Sequence, residues 1–387
     1  MKQKKLWQRA LRWETMLVLI LIVLWIVFNL KDAMLQAEQV AAKKRRITDT
    51  FNFVNMMEGM GPYLISSFMA LGMSLILGMG AIDISVGATA ALSAAVMAIS
   101  YGAFKAHMSP GLALALAVVC CLLTGGACGA LNGLLITRFR ELFPMIITLG
   151  TQLLYRGLTY LLIGGSPIQY PGDETWSSLK QLYQGSIEIH FPEKTMYTLP
   201  KSDPAQIVEA YQEGTINIPT ILLWFLLLAA LFFVVIHLTK WGRRLFAIGT
   251  NREAARLSGV KVKSFEFTMF TICGVTAAIS GMFYVGSASG TMRADALKGY
   301  EMLAIAAVVL GGFSTSGGKG NIIGVVLSVF VFAVMKKGMG TVFKMPESSL
   351  DLAVGLVLIA ASLLPNLMED LSLRRRLHRQ HVEAELG

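Results

Sequence analysis

Charge is scarce in this chain. Of its 387 residues only 15% are Asp, Glu, Lys or Arg, where a soluble domain carries about a quarter. Hydrophobic residues make up 55%, which excludes a water-soluble globule and points to an integral membrane protein. Cysteine is scarce too. Cys120, Cys121, Cys128 and Cys273 all lie inside apolar stretches and lack the paired spacing of a zinc or redox site, so they read as small packing residues. The five histidines, His107, His190, His237, His378 and His381, have no Glu or second His spaced to complete a zinc motif. No metal is expected.

Two near-matches to catalytic motifs also fail. Gly286-Ser287-Ala288-Ser289-Gly290 has the shape of a nucleophile elbow but carries Ala where the nucleophile belongs. Gly311 to Asn321 glances at a phosphate-binding loop, but Gly318 separates Gly317 from Lys319, and Gly320 stands where Ser or Thr must follow. The chain is therefore expected to bind no ATP, to carry no cofactor and to have no catalytic residue. Acids are outnumbered 24 to 34 by bases, giving a net charge of +10. These bases flank apolar runs, so retention on the cytoplasmic side explains them without nucleic acid.

What the chain has is apolar runs. About ten are long enough to be read as spans of a hydrocarbon core about 30 Å thick. They lie near 15–30, 62–82, 84–104, 111–137, 144–163, 216–238, 265–286, 301–313, 321–336 and 349–365. The first follows Lys2, Lys4, Lys5, Arg9 and Arg12 without a cleavage pattern, so it is read as a retained span. Three basic clusters agree on one topology: residues 1–14, the loop 239–264, and the tail 366–387 with Arg374, Arg375, Arg376 and Arg379 all face the cytoplasm. Between them, 15–365 is one transmembrane domain. The segment Lys43, Lys44, Arg45 and Arg46 runs against this bias, either as a surface helix or because the first span is misassigned.

The connection 164–215 falls outside in this topology. It carries seven acids and three lysines, and Pro167, Pro171, Pro192, Pro200 and Pro204 forbid a long helix. Loops of this length are functional or disordered, and contact with an external partner is one expectation.

Several polar groups stand inside apolar sequence. Asp83 and Ser85 lie where the second and third spans meet, between Gly78, Gly80 and Gly87, which permit a broken helix. An intramembrane carboxylate needs a cavity, a partner or an interface, and Asp83 either lines a substrate path or caps a helix. Arg156 needs a carboxylate, a backbone carbonyl or water. Asn132, Thr148, Thr151 and Gln152 can bond the hydroxyls of a polyol, or simply hold helices together. Gly125, Gly129 and Gly133 recur every four residues, first of all as a helix-packing face.

The loop 239–264 contains Glu253-Ala254-Ala255-Arg256-Leu257, all good helix formers, with Asn251 able to cap the start and Gly259 the end. A short surface helix follows. Its Glu-Ala-Ala with Gly259 after it resembles the cytoplasmic coupling loop of ATP-binding-cassette importer permeases.

Four stretches in order, Gly80 to Gly87, Pro144 to Thr151, Gly249 to Val260 and Tyr300 to Gly312, resemble the permeases of ribose, galactoside and xylose type importers over most of 52–365. That resemblance implies an all-α bundle in the bacterial cytoplasmic membrane. Two permeases, either two copies or one copy with a sister chain, would dock two ATPase subunits that bind ATP and magnesium. An external solute-binding protein would deliver a monosaccharide or similar solute. Glu253, Ala254, Ala255, Arg256 and Gly259 would couple to the ATPase, while Asp83, Ser85, Asn132, Thr148, Gln152 and Arg156 would line the path. Glu301, near Arg293 and Lys298, stays unassigned. Ala81, the long loop 164–215 and the basic 43–46 segment depart from the family pattern. An ion-coupled carrier is the competing reading, although Asp83 is then the one candidate coupling carboxylate.

Overall fold

A computed structural model describes residues 13–41, 51–139, 141–164, 166–169, 174–198, 207–287, 291–346 and 351–359. The basic 43–46 segment, the arginines of the tail and residues 288–290 of the elbow-like stretch lie outside these. The described chain is a helical membrane bundle. Its elements are α1 (Trp13–Ala41), α2 (Phe53–Gly59), α3 (Gly61–Gly78), α4 (Val86–Lys105), α5 (Pro110–Arg138), α6 (Pro144–Ile163), β1 (Ile168–Gln169), α7 (Glu174–Gln184), β2 (Ser186–Thr198) and β3 (Ile207–Pro219). After these come α8 (Thr220–Phe233), a π-helical turn (Val234–Leu238), α9 (Lys240–Thr250), α10 (Arg252–Leu257), α11 (Val262–Ser287), β4 (Thr291–Met292), α12 (Tyr300–Leu310) and α13 (Ile322–Thr341). A further helix covers 351–359.

Eight helices among the described residues are long and apolar enough to cross a membrane. The about ten runs seen in sequence correspond to these eight, to the helix at 351–359, and to α12. With 11 residues, α12 rises only about 17 Å, roughly half a hydrocarbon core. The apolar run at 301–313 is therefore a half-helix rather than a span. The run at 216–238 also starts later as a helix, because Ile216-Asn217-Ile218 alternates with period two and ends β3. The first helix reaches Ala41, well beyond the apolar stretch at 15–30.

Burial orders the bundle. Nearly every residue of α3 is buried, and α11 and α12 are mostly so. By contrast α1, α5, α6 and α8 present outward rows of large apolar side chains such as Ile22, Leu123, Leu153 and Leu227, as lipid contact requires. The four-residue glycine repeat does pack helices: a Cβ at Gly125 or Gly129 would collide with the carbonyl oxygen of Gly274 or Phe270 on α11. Close backbone approach of this kind replaces the hydrophobic drive that lipid removes. Phe68 on α3 stacks on Phe283 of α11 with ring centroids 4.7 Å apart.

The two ends of the bundle differ. At one, Trp13 Nε1 donates to Leu310 O at 2.5 Å, Asn321 Nδ2 donates to Glu14 Oε1 at 2.6 Å, and His237 Nε2 accepts from Ile322 N at 3.2 Å. The start of α1, the π turn after α8 and the 311–321 loop are thereby tied together. At the other end the prolines exclude a long helix, and the chain forms α7 followed by a hairpin pairing Ser186 with Pro219 through to Thr198 with Ile207. Fully buried Trp176 of α7 sits 4.8 Å from the ring of Tyr101 on α4. A two-residue sheet pairs Ile168 with Met292 and Gln169 with Thr291, which fastens the segment after α6 to the segment before α12.

Candidate functional site

Two groups of residues carry the functional argument: the surface helix α10 and a buried polar column along α6. The α10 helix forms where its sequence puts it. Asn251, in extended backbone with φ −155°, accepts from Ala254 N at 2.9 Å through its side chain, satisfying a first-turn donor. At the far end Gly259 N bonds Arg256 O at 3.0 Å and Val260 N bonds Ala255 O at 3.1 Å. This is a Schellman closure, for which the left-handed φ of +84° at Gly259 suits glycine.

One side of α10 is anchored and the other is free. Ala255 is buried, and Arg252 Nη2 pairs at 2.5 Å with Glu266 Oε2, a buried carboxylate on α11. Facing outward are Ala254, the Glu253–Arg256 pair at 2.9 Å, and Leu257, which is 81% exposed. This face exposes small and apolar side chains with one charge of each sign, unlike the buried face around Ala255. The sequence reading did not single out Leu257 or Glu266; only the fold gives them meaning.

The helix is joined to the membrane interior through bare backbone. In α9, Gly242, Leu245 and Ile248 face inward and bring Gly249 against the end of α3. A Cβ at Gly249 would collide with Gly78 O and Gly318 N. Gly318 N itself donates to Gly78 O at 3.0 Å, and a Cβ at Gly317 would lie 2.6 Å from Gly80 N. Three segments thus touch without side chains between them: the chain just before α10, the 311–321 loop, and the break between α3 and α4. Gly80 and Gly317, with φ of +78° and +82°, adopt turns that other residues resist. Asp83 is three residues beyond Gly80.

Asp83 is buried, at 2% exposure, and its oxygens have donors. Oδ1 accepts from Ser85 N at 2.9 Å and Ser85 Oγ at 2.7 Å, and Oδ2 accepts from Asn132 Nδ2 at 3.3 Å. Asn132 Nδ2 also donates to Ser85 Oγ at 2.7 Å, and Tyr155 Oη donates to Asn132 Oδ1 at 3.1 Å or Cys128 O at 2.9 Å. Nearby, Ile84 N donates to Thr148 Oγ1 at 3.2 Å. Asp83 thus closes a local turn onto Ser85, the N-cap of α4, at a helix break inside the bundle, and α4 itself has no side-chain cap hydrogen bond.

The α6 helix supplies the column. Thr148, Thr151, Gln152, Tyr155, Arg156 and Thr159 recur at helical spacing along one stripe, and Thr148, Thr151, Tyr155 and Thr159 are buried. The lower part of the stripe meets the Asp83 break. The upper part meets a second break ahead of α12: Gln152 Nε2 donates to Glu301 Oε1 at 3.3 Å, and Arg156 Nη1 donates to the carbonyls of Ala294 at 3.0 Å and Ala296 at 2.6 Å. Of the six path residues named from sequence, Asp83, Ser85 and Asn132 form one network. Thr148 adjoins it through Ile84, whereas Gln152 and Arg156 bind the other break. Tyr155 was missed, though its place on the 148, 151, 152, 155, 156 stripe could have revealed it. Among the described residues the column's polar groups bond one another and backbone carbonyls, and no nucleophile is paired with a base. A separate groove, lined by Leu75, Leu231, Phe232, Trp241, Leu245 and Met269, is wholly apolar and lies beside the α8–α9 elbow, away from the column.

Known proteins resemble the chain over most of its length. Residues 55–362 match the family model described as the permease component of branched-chain amino acid transport systems. The chain is 32% identical to the ribose import permease protein RbsC of Bacillus subtilis over 75% of its own length and 77% of that protein's. Against RbsC of Escherichia coli K12 it is 32% identical over 71% and 74%. Against the autoinducer 2 import system permease protein LsrC of Photorhabdus laumondii it is 33% identical over 76% and 75%. No solved structure matches. These relatives favour a transport permease over an ion-coupled carrier.

Proposed function

The chain belongs to the family of transport-system permease components, and on that premise we propose that it is the membrane subunit of an ATP-driven importer for a monosaccharide or similarly small polar solute. In this reading α10 and the 311–321 loop face the cytoplasm, as do both termini, in the inner membrane of a bacterium. A separate ATPase subunit docks on Glu253, Ala254, Ala255, Arg256 and Leu257 and supplies ATP and magnesium. A soluble binding protein delivers solute at the opposite end, where α7 and the hairpin extend the 164–215 connection. A second permease, either a copy or a sister chain, completes the pathway.

The observation that carries the reading is the side-chain-free junction of Gly249, Gly317 and Gly318 with Gly78 and Gly80. Backbone contact transmits displacement with little slack, because packed protein resists compression. A push on α10 would therefore move the helix break that holds Asp83. The column of Asp83, Ser85, Asn132, Thr148, Gln152 and Arg156 then lines the path, offering neutral and charged hydrogen-bonding groups suited to hydroxyls. Relatives named for ribose and autoinducer 2 support a sugar-like solute.

Purification from native membrane in mild detergent, followed by mass spectrometry and by vesicle uptake of pentoses and hexoses, tests this. Co-purification of an ATPase and vanadate-sensitive uptake are expected. Vanadate-resistant uptake that an uncoupler abolishes would favour the ion-coupled carrier.

A further inference from the structure

Two helices begin at the same buried point. The first turn of α4 and the first turn of α12 meet so closely that a Cβ on Gly87 would collide with Glu301 Oε2. The first N–H groups of any helix lack intrahelical acceptors and carry partial positive charge, so this convergence favours an acceptor. Glu301 supplies it and is buried, at 4% exposure. Its Oε1 accepts from Gly299 N at 3.2 Å and from Gln152 Nε2 at 3.3 Å. Its Oε2 is buried and has no hydrogen-bond partner.

A buried carboxylate oxygen without a donor is costly unless a donor arrives. Here the oxygen lies at the start of a half-helix, beside the polar stripe of α6. We propose that Glu301 Oε2 is a substrate contact, accepting a hydroxyl of a neutral polyhydroxylated solute as it passes between α4, α6 and α12. The assignment rests on the importer reading for its substrate class. A buried carboxylate accepts hydrogen bonds well from neutral hydroxyls. Water could present the same donor chemistry, and the experiment must tell a static water from a solute.

The test is labelling of the full chain in lipid nanodiscs with a hydrophobic carbodiimide, located by mass spectrometry. The runs contain either a mixture of D-ribose, D-xylose and D-galactose or glycine betaine at equal osmolarity. Several-fold slower labelling of Glu301 with the sugars, and not with betaine, is expected; Glu266, a buried carboxylate paired with Arg252 beside α10 and outside the column, should label alike in both. Equal labelling of Glu301 in the two runs would overturn the proposal and leave a structural water as its donor. In the intact transporter, Glu301→Gln should raise the half-saturating concentration of whichever of these sugars is taken up by about tenfold or more, as expected for losing a hydrogen bond to a charged group. An unchanged half-saturating concentration would also overturn it. Failure of any ATPase to co-purify with the wild type would instead sink the importer reading, and it is scored separately from the labelling.

Discussion

The surface around α10 and the buried column along α6 treat their polar groups in opposite ways. On α10 the charged pair of Glu253 and Arg256 is exposed and could be rearranged at little cost. In the column, Asp83, Ser85, Asn132 and Tyr155 are almost fully enclosed, and each depends on the others for its donor or acceptor. The docking face proposed for α10 would be remade with every cycle, which polar groups left in water allow. A helix break inside a membrane has no water to fall back on, so its groups must satisfy one another.

The contrast is broken most severely at the junction between the two regions. Gly249→Leu forces a side chain into the space held by Gly78 O and Gly318 N, an overpacking that costs about 1–3 kcal/mol or more. Solute uptake should be abolished while the ATPase still co-purifies and hydrolyses ATP, which a coupled uptake and phosphate-release assay reads directly.

Asp83→Ala comes next. It strips the acceptor from Ser85 N, Ser85 Oγ and Asn132, and each buried group left unsatisfied costs about 1–3 kcal/mol. The thermal midpoint in detergent should fall clearly, and less membrane protein should accumulate. Asp83→Asn keeps an acceptor and should fall less.

Glu253→Lys sharpens the comparison from the other side. The exposed pair contributes only about 0–1 kcal/mol, so the thermal midpoint should stay near that of the wild type. Co-purification of the ATPase and uptake should both be lost, because the docking face is altered. Equal loss of stability in Glu253→Lys and Asp83→Ala would erase the distinction between the regions.

The smallest effect is expected at the opposite end, where Arg293 Nε pairs with Asp295 Oδ1 at 3.0 Å. The hydrogen bond from Arg293 holds the Asp295 carboxyl below its ordinary range. A carboxyl with a lowered folded pKa stabilises the protein above its unfolded value and loses that contribution as the pH falls through the folded one. Arg293→Ala should therefore lower the thermal midpoint slightly at neutral pH, with the difference closing in acid.

The same contrast explains what sequence could reveal. The α10 helix was legible because its cap, helix formers and closing glycine are contiguous, so local rules suffice. The membrane class and most spans followed from apolar runs that need no tertiary knowledge. Asp83 and Arg156 were visible as isolated charges, but their partners were not. Asn132 lies 47 residues from Ser85, and Ala294 lies 138 from Arg156; nothing local encodes such meetings. The half-helix α12 read as a span because hydropathy counts apolar residues and is blind to where a helix starts. The β2–β3 hairpin was hidden for a related reason: the prolines said what the segment could not be, without saying what it paired with.

The most direct test of the link between docking face and path is site-specific photocrosslinking from position 257 in native cells. A photoreactive residue replaces the exposed Leu257, and the adduct is identified by mass spectrometry. The expected product is a single adduct with a nucleotide-binding ATPase subunit, formed less efficiently in Glu253→Lys. Adducts with lipid alone, or with no ATPase under turnover conditions, would contradict the assignment of α10 as the surface through which the transporter is driven.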